Sequence, residues 1–262
     1  AESSCSRRKR VLYPNARPGP DSKERAFRHT SPMPVLHHHP LSAASRYVRL
    51  VLAEFGEEVT LVDEQPWERS EAFLALNPAG TLPVLIDETD GAVVGATPIA
   101  EYLQETRGAR LGEDVLMPSA PAARAEVRRL ADWFLGKLES EVTGYLVTEK
   151  VFKRLAPGPN GASSPDAAAI RAARSNIRYH LRYIGYLVAR RNCLAGKEIS
   201  FADLAAAAEI SCIDYLGEVP WEEDSNAKAW YARMKSRPSF RSILADTVRG
   251  NPPATHYADL DF

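Results

Sequence analysis

The chain has 262 residues, 45% hydrophobic and 26% charged, with 33 basic and 34 acidic side chains and a formal charge of −1. That length suits one large or two modest domains with a buried core, and the balanced charge excludes a chain-wide field that would attract nucleic acid or an acidic membrane surface. Cys5, Cys193 and Cys212 show no C-x-x-C spacing, which argues against a disulfide framework or a cysteine zinc site and for a reducing compartment.

No apolar run reaches the roughly 20 residues of a membrane-spanning helix, and the first residues lack the apolar core of a secretory signal. The expectation is a cytoplasmic protein. Residues 1–32 carry eight Lys/Arg against three Asp/Glu and have almost no apolar periodicity. They read as a disordered basic extension, and the folded unit is expected to begin at Met33.

Val35-Leu36 predicts a short strand running into a turn. Ser42 to Phe55 has helical spacing and stops at Gly56. Val59 to Val62 alternates as a strand, and Glu68 to Leu76 is helical. Thr81 to Asp87 is a compact apolar strand, followed by an Asp90-Gly91 turn into Ala92-Val93-Val94. Thr97-Pro98 predicts a helix start, with a hydroxyl cap and proline in the first position. The order β-α-β-α-β-β-α is that of a thioredoxin-like domain over residues 33–108.

Beyond Gly108 the strand signals end, and an all-helical domain is expected over residues 118–250. Ala120 to Leu155 reads as one long amphipathic helix with a weak point at Gly144. The Gly/Pro/Ser stretch 156–165 is a loop, and Asp166 to Asn192 is a second long helix with an apolar stripe. Ser200 and Asp203 form an S-x-x-D capping box, with Ile199 and Leu204 as its hydrophobic staple. The box opens an Ala-rich helix from Phe201 to Leu216. Shorter helices follow around Ala227 to Lys235 and Ser239 to Val248. Residues 251–262 form a tail in which Pro252-Pro253 stiffens the exit. Past it, Tyr257, Leu260 and Phe262 are apolar anchors among Asp259, Asp261 and the terminal carboxylate, the composition of a partner-contacting element. A tail folded back over its own groove is the competing reading.

Three motifs in order, Ser42-Ala-Ala-Ser45-Arg46-Tyr-Val48-Arg49-Leu50, Asn77-Pro78-Ala-Gly80-Thr-Leu82-Pro83-Val-Leu85 and the Ser200/Asp203 box, resemble the glutathione S-transferase superfamily from about Met33 to Val248. The resemblance implies a thioredoxin-like domain followed by an all-helical one. It also implies a cis-proline at Leu82-Pro83, whose backbone would clamp glutathione, and Ser42 as the group that would hydrogen-bond and activate the thiol. Aligning Ile99, Tyr102 and Leu103 on the family's E-S-x-A-I-x-x-Y-L pattern places Gly95 where the acid belongs and Ala96 where the serine belongs. Hydrogen bonds to charged groups contribute roughly 1.5–3 kcal/mol each, so losing two weakens glutathione binding by about two to four decades. Thr97 is the one nearby hydroxyl.

The Gly95-Ala-Thr-Pro-Ile-Ala-Glu-Tyr-Leu103 stretch and the ending His256-Tyr257-Ala258-Asp259-Leu260-Asp261-Phe262 resemble a non-enzymatic branch of that superfamily, the FtsZ-localised cell-division regulators of alphaproteobacteria. That resemblance implies a homodimer on FtsZ filaments at the division site, with the tail on the contacting surface, no cofactor, no nucleic-acid partner and no membrane insertion. Trp67, before the second helix, is either a further surface anchor or a cover over the core. The alternative is an active glutathione S-transferase, with glutathione as cosubstrate and Ser42 activating its thiol. His37, His38 and His39 alternate faces on a strand and do not converge as metal ligands.

Overall fold

The computed structural model describes residues 33–112, 116–156 and 163–260. The expectations for residues 1–32 and for the middle of the 156–165 loop lie outside them. Residues 33–262 form one compact unit.

The first part is a four-stranded sheet with helices. Strand β1 (Val35–His38) pairs in parallel with β2 (Thr60–Asp63), and antiparallel with β3 (Val84–Asp87), which pairs antiparallel with β4 (Gly91–Val94). The strand order is β2-β1-β3-β4. Helices α1 (Ala43–Glu54) and α2 (Glu71–Leu76) connect the first three strands, and α3 (Ala96–Arg107) follows β4. Leu36, Leu85, Val48, Leu52 and Leu103 lie in the resulting core. The α3 start departs from the sequence expectation. Its cap is Gly95, at φ 95°, two residues before Thr97, and no side chain bonds the first turn. Glycine takes that positive φ without steric cost, so it ends the hairpin and opens the helix at once. Thr97 is left exposed inside the first turn.

The second part is helical. Helix α4 (residues 121–155) is a continuous run that alternates α-helical stretches, Pro121–Asp132, Gly144–Val147 and Lys153–Leu155, with π-helical ones, Trp133–Thr143 and Thr148–Phe152. The expected weak point at Gly144 is helical, with φ −58°; wider π turns absorb the irregularity in place of a break. Helix α5 (Ala167–Arg191) is capped by Asp166, whose carboxylate accepts from the amides of Ala168 and Ala169. A Cβ at Gly185 would fall 2.1 Å from the Asp224 carboxylate, so only glycine admits the residue that caps the next-but-one helix.

Helix α6 (Phe201–Tyr215) is buried along its whole length, as its alanine content predicts. Its capping box forms. Asp203 accepts from the Ser200 amide and hydroxyl, both at 3.0 Å, and also from the Leu194 amide at 2.9 Å and Trp230 Nε1 at 3.0 Å. Burial raises the Asp203 carboxyl above its usual range, and those donors oppose the shift. Helices α7 (Ser225–Lys235) and α8 (Arg241–Leu244) complete the fold. Only four residues of the expected 239–248 helix are α-helical, because a 3₁₀ turn at Pro238–Phe240 precedes them.

Candidate functional site

Ser42 is the N-cap of α1. Its hydroxyl oxygen accepts from the Ser45 amide at 3.2 Å, and the side chain is half-buried. Capping and thiol activation are compatible, since the cap uses the oxygen as acceptor and leaves the O–H free to donate. Leu82–Pro83 is cis, and the Pro83 carbonyl accepts from the Gly95 amide at 3.0 Å. Ser42, the Leu82–Pro83 pair and the α3 start therefore all lie at the ends of β1, β3 and β4, which adjoin in the sheet. Gly95 and Ala96 occupy that start without a polar side chain.

The three histidines part ways. His37 Nδ1 is 2.7 Å from Glu64, and His38 Nε2 is 2.9 Å from Asp63. His39 Nδ1 accepts from the Leu41 amide at 3.1 Å. Burial pushes both His38 and His39 down to about 4, so both are uncharged at neutral pH. His39 stacks edge-on against Phe152 at 5.0 Å, and Trp67 meets Phe152 at 5.4 Å. Trp67 is half-buried in this aromatic cluster, which ties the loop before α2 to the end of α4. It covers the core on one face and keeps some surface on the other.

Arg46 and Arg49 on α1 clamp the sheet-bearing part to the helical one, a role that sequence reading missed. Arg46 is fully buried. It donates to the Pro40 carbonyl at 2.6 Å, to Ser211 Oγ at 2.9 Å and to the Tyr257 hydroxyl at 3.0 Å. Arg49 makes a two-pronged bond to Asp246, at 2.8 and 2.9 Å, and adds the Ser242 carbonyl at 2.9 Å. Glu54, at the other end of α1, receives both Arg237 nitrogens at 2.7 Å and the Ser239 hydroxyl at 2.6 Å. The available signal was two arginines on an otherwise apolar helix, where a charge needs a fixed partner.

The tail does not leave the globule at Pro253. The Ala254 amide donates to the Tyr215 carbonyl at 2.9 Å. Tyr257 is 0% exposed, which corrects its expected place on a partner surface. It packs with Leu41, Val147, Val151, Cys212 and Tyr215, and its hydroxyl donates to the Ile243 carbonyl at 2.9 Å. The physical reason is that a tyrosine in a tail next to a buried arginine satisfies both polar groups by entering. Beside it, buried Asp214 receives Lys235 Nζ at 3.3 Å and faces His256 Nε2 at 3.1 Å. Burial raises the Asp214 carboxyl and lowers the Lys235 ammonium, while their mutual attraction opposes both shifts. Asp259 is exposed and Leu260 is 43% exposed, immediately beyond the anchored Tyr257. Asp261 and Phe262 lie outside the described residues. The competing expectation, a tail folded back on its own groove, thus holds for its first half.

Comparison with known proteins agrees with this architecture. Residues 41–106 match the N-terminal domain and residues 162–238 the C-terminal domain of glutathione S-transferase. FtsZ-localized protein A of Caulobacter vibrioides is 45% identical over 230 residues, 87% of this chain and 97% of that protein. Two relatives of solved structure align over 88% of this chain and all of their own. One is a glutathione S-transferase from Sinorhizobium meliloti, at 53% identity and TM-score 0.85; the other is FzlA from C. crescentus, at 44% and 0.81. With both domains matched, and the fold shared along nearly the full length of these relatives, the chain belongs to the glutathione S-transferase superfamily.

Proposed function

We propose that this chain is a non-enzymatic member of its superfamily, a cytoplasmic homodimer that binds FtsZ filaments and regulates cell division at the division site. The observation that carries the reading is the tail. Its root is locked into the core at Tyr257, while Asp259 and Leu260 stand exposed next to it. A rigid root holding an apolar residue beside an acidic one presents a short, preorganised contact element, and preorganisation reduces the entropy lost on binding. Two relatives, one named FtsZ-localized protein A and one FzlA, support FtsZ as the partner. Gly95 and Ala96 support the non-enzymatic half, since neither offers glutathione's amino or carboxylate group a side-chain ligand.

The test is co-sedimentation of the full chain with assembled FtsZ, compared with a variant lacking Asp259 to Phe262. The variant is expected to lose filament binding with an almost unchanged melting temperature. Equal pelleting of the two would remove the tail from the contact, and light scattering on the same samples reads the dimer directly.

Glutathione conjugation is the second reading, favoured by the spare hydroxyl proton of Ser42 beside the Leu82–Pro83 turn. Titration with reduced glutathione up to millimolar concentration is expected to give no heat. Micromolar binding, with conjugation that falls about tenfold or more in Ser42→Ala, would establish the enzyme instead.

A further inference from the structure

Arg46 joins three parts of the chain that lie far apart in sequence. Its Nε donates to the Pro40 carbonyl, in the turn between β1 and α1, at 2.6 Å. Its Nη1 donates to Ser211 Oγ of α6 at 2.9 Å and to the Tyr257 hydroxyl of the tail at 3.0 Å. Both hydroxyls direct their own hydrogens elsewhere, to the carbonyls of Ala208 and Ile243, so each meets the guanidinium with a lone pair. Nη2, buried with the rest of the side chain, makes no hydrogen bond. It stands 3.6 Å from Asp246 Oδ2, the oxygen that accepts from Arg49 Nη1 at 2.8 Å. A buried donor left just short of a carboxylate marks a second resting place for the same group, because such donors are nearly always satisfied.

We propose that Arg46 is a two-position latch between the β1–α1 turn and the tail. In the first position, the one just described, it holds Tyr257 and so fixes the root from which Asp259 and Leu260 project. In the second, Nη2 closes on Asp246 to about 2.8 Å, the usual length of a charge-assisted bond. The guanidinium is a rigid planar fork, so that movement draws Nε off Pro40 and Nη1 off Tyr257 together. Asp246 can take both arginines, because an ionised carboxylate has about four acceptor sites.

The turn is the input to the latch. The Ser42 amide donates to the His39 carbonyl at 3.0 Å, and the Arg46 amide to the Ser42 carbonyl at 2.9 Å. Pro40 therefore lies within the one turn that sets both Ser42 and Arg46. A ligand beside Ser42 that offers the Pro40 carbonyl a hydrogen-bond donor competes with Nε and favours the second position. The consequence rests on the reading of the tail as the FtsZ contact. Occupation of the cleft loosens the contact element, and filament engagement steadies the turn by the same factor, since coupling between two sites is reciprocal.

Native-state hydrogen exchange on the full chain, without FtsZ, tests the latch. Ser42→Ala removes the hydroxyl that caps the turn and is expected to quicken exchange at the Tyr257 and Asp259 amides about 2- to 10-fold, the worth of one hydrogen bond. Tyr257→Phe is expected to quicken the Ser42 and Arg46 amides by a similar factor. The Thr60 amide, bonded to the Pro34 carbonyl at the other end of β1, should not change. In an Arg46→Met background both cross-effects should vanish. Arg46→Lys, which keeps the charge without the fork, serves the same purpose where the methionine variant does not fold. Unchanged amides at the far end would overturn the latch. So would cross-effects that persist without Arg46, since Leu41, which packs in one apolar cluster with Tyr257, would then carry the coupling. Co-sedimentation separates the two readings. Ser42→Ala is expected to weaken filament binding. An unaltered chain that fails to pellet with FtsZ would overturn the filament reading alone, because the exchange rates decide the latch without FtsZ.

Discussion

Replacing Glu209 with glutamine is expected to flatten the protein's stability against pH and to relieve a loss of stability that grows as pH rises above about 4.5. Glu209 sits in the middle of α6 and is 0% exposed, and neither carboxyl oxygen has a hydrogen bond of good geometry. The polar groups that bear on it are Glu139 and Thr143 of α4, one turn apart, and each also has a buried oxygen without a partner. Gly144 makes room for this arrangement. A Cβ there would lie 3.0 Å from the Glu139 carbonyl and 3.2 Å from its carboxyl. Arg46 of α1 and Cys212 of α6 are the nearby charged and titratable groups on the Tyr257 side. The Arg46 charge is already engaged, and burial pushes the Cys212 thiol up to about 12.

Burial first, and the Glu139 carboxyl second, raise Glu209 well above its ordinary 4.5; burial raises Glu139 as well. Two carboxyls so placed cannot both ionise, so the pair keeps at least one proton where a solvated glutamate would have lost it. The sign follows from linkage. With the folded value above the unfolded one, the contribution is fully present below about pH 4.5 and is lost as pH rises through the folded value. Each additional proton held by the native state tilts stability by about 1.4 kcal/mol per pH unit across that window. Urea midpoints of the unaltered chain should therefore fall as pH rises from about 4.5, and those of Glu209→Gln should fall less. Glu209→Leu should behave alike, since a buried ionisable group replaced by an apolar one of similar size is often neutral or stabilising. Parallel pH profiles for all three proteins would mean that the pair is not protonated in the core.

Local patterns made most of the fold legible. The apolar run between Pro83 and the Asp90-Gly91 turn, the capping box at Ser200 and the alanines of α6 each announce themselves within a few residues. Thr97-Pro98 misleads because two helix-start signals compete. A glycine that closes a hairpin can open the helix by itself, which moves the start back to Gly95. The Glu139–Glu209 pair was hidden because a glutamate in a long helix reads as solvent-facing, and only the other helix reveals otherwise. The interface arginines were hidden for the same reason: Arg46 meets Ser211 and Tyr257, and Arg49 meets Asp246, all some 160 residues or more away. The cleft residues Ser42, Leu82 and Pro83 were legible by resemblance, yet only their placement shows that Ser42 already works as a cap.

The same long-range logic makes Tyr257 the residue whose loss should be most damaging. Its ring meets Tyr215 at 5.1 Å and lies under Arg46 at 5.7 Å, while its hydroxyl links Arg46 on α1 to the Ile243 carbonyl on α8. Tyr257→Ala removes a buried aromatic, which costs about 3–5 kcal/mol, and strips a partner from a buried guanidinium. Tyr257→Phe keeps the ring and loses only the hydroxyl, for about 1–3 kcal/mol. Chemical denaturation should rank the unaltered chain, Phe and Ala in that order. Hydrogen exchange at the Ala254 amide, bonded to the Tyr215 carbonyl of α6, and at the Tyr257 and Asp259 amides, bonded within the folded tail, should quicken in the same order. A truncation series gives the sharper outcome. Ending the chain after Ala258 should leave stability nearly unchanged, whereas ending it after Thr255 should destabilise it as severely as Tyr257→Ala, because His256 also faces Asp214. If both truncations were equally mild, Tyr257 would be an incidental passenger in its pocket. The step between them would instead place the boundary between fold and contact element at residue 258, inside what looks in sequence like one uniform tail.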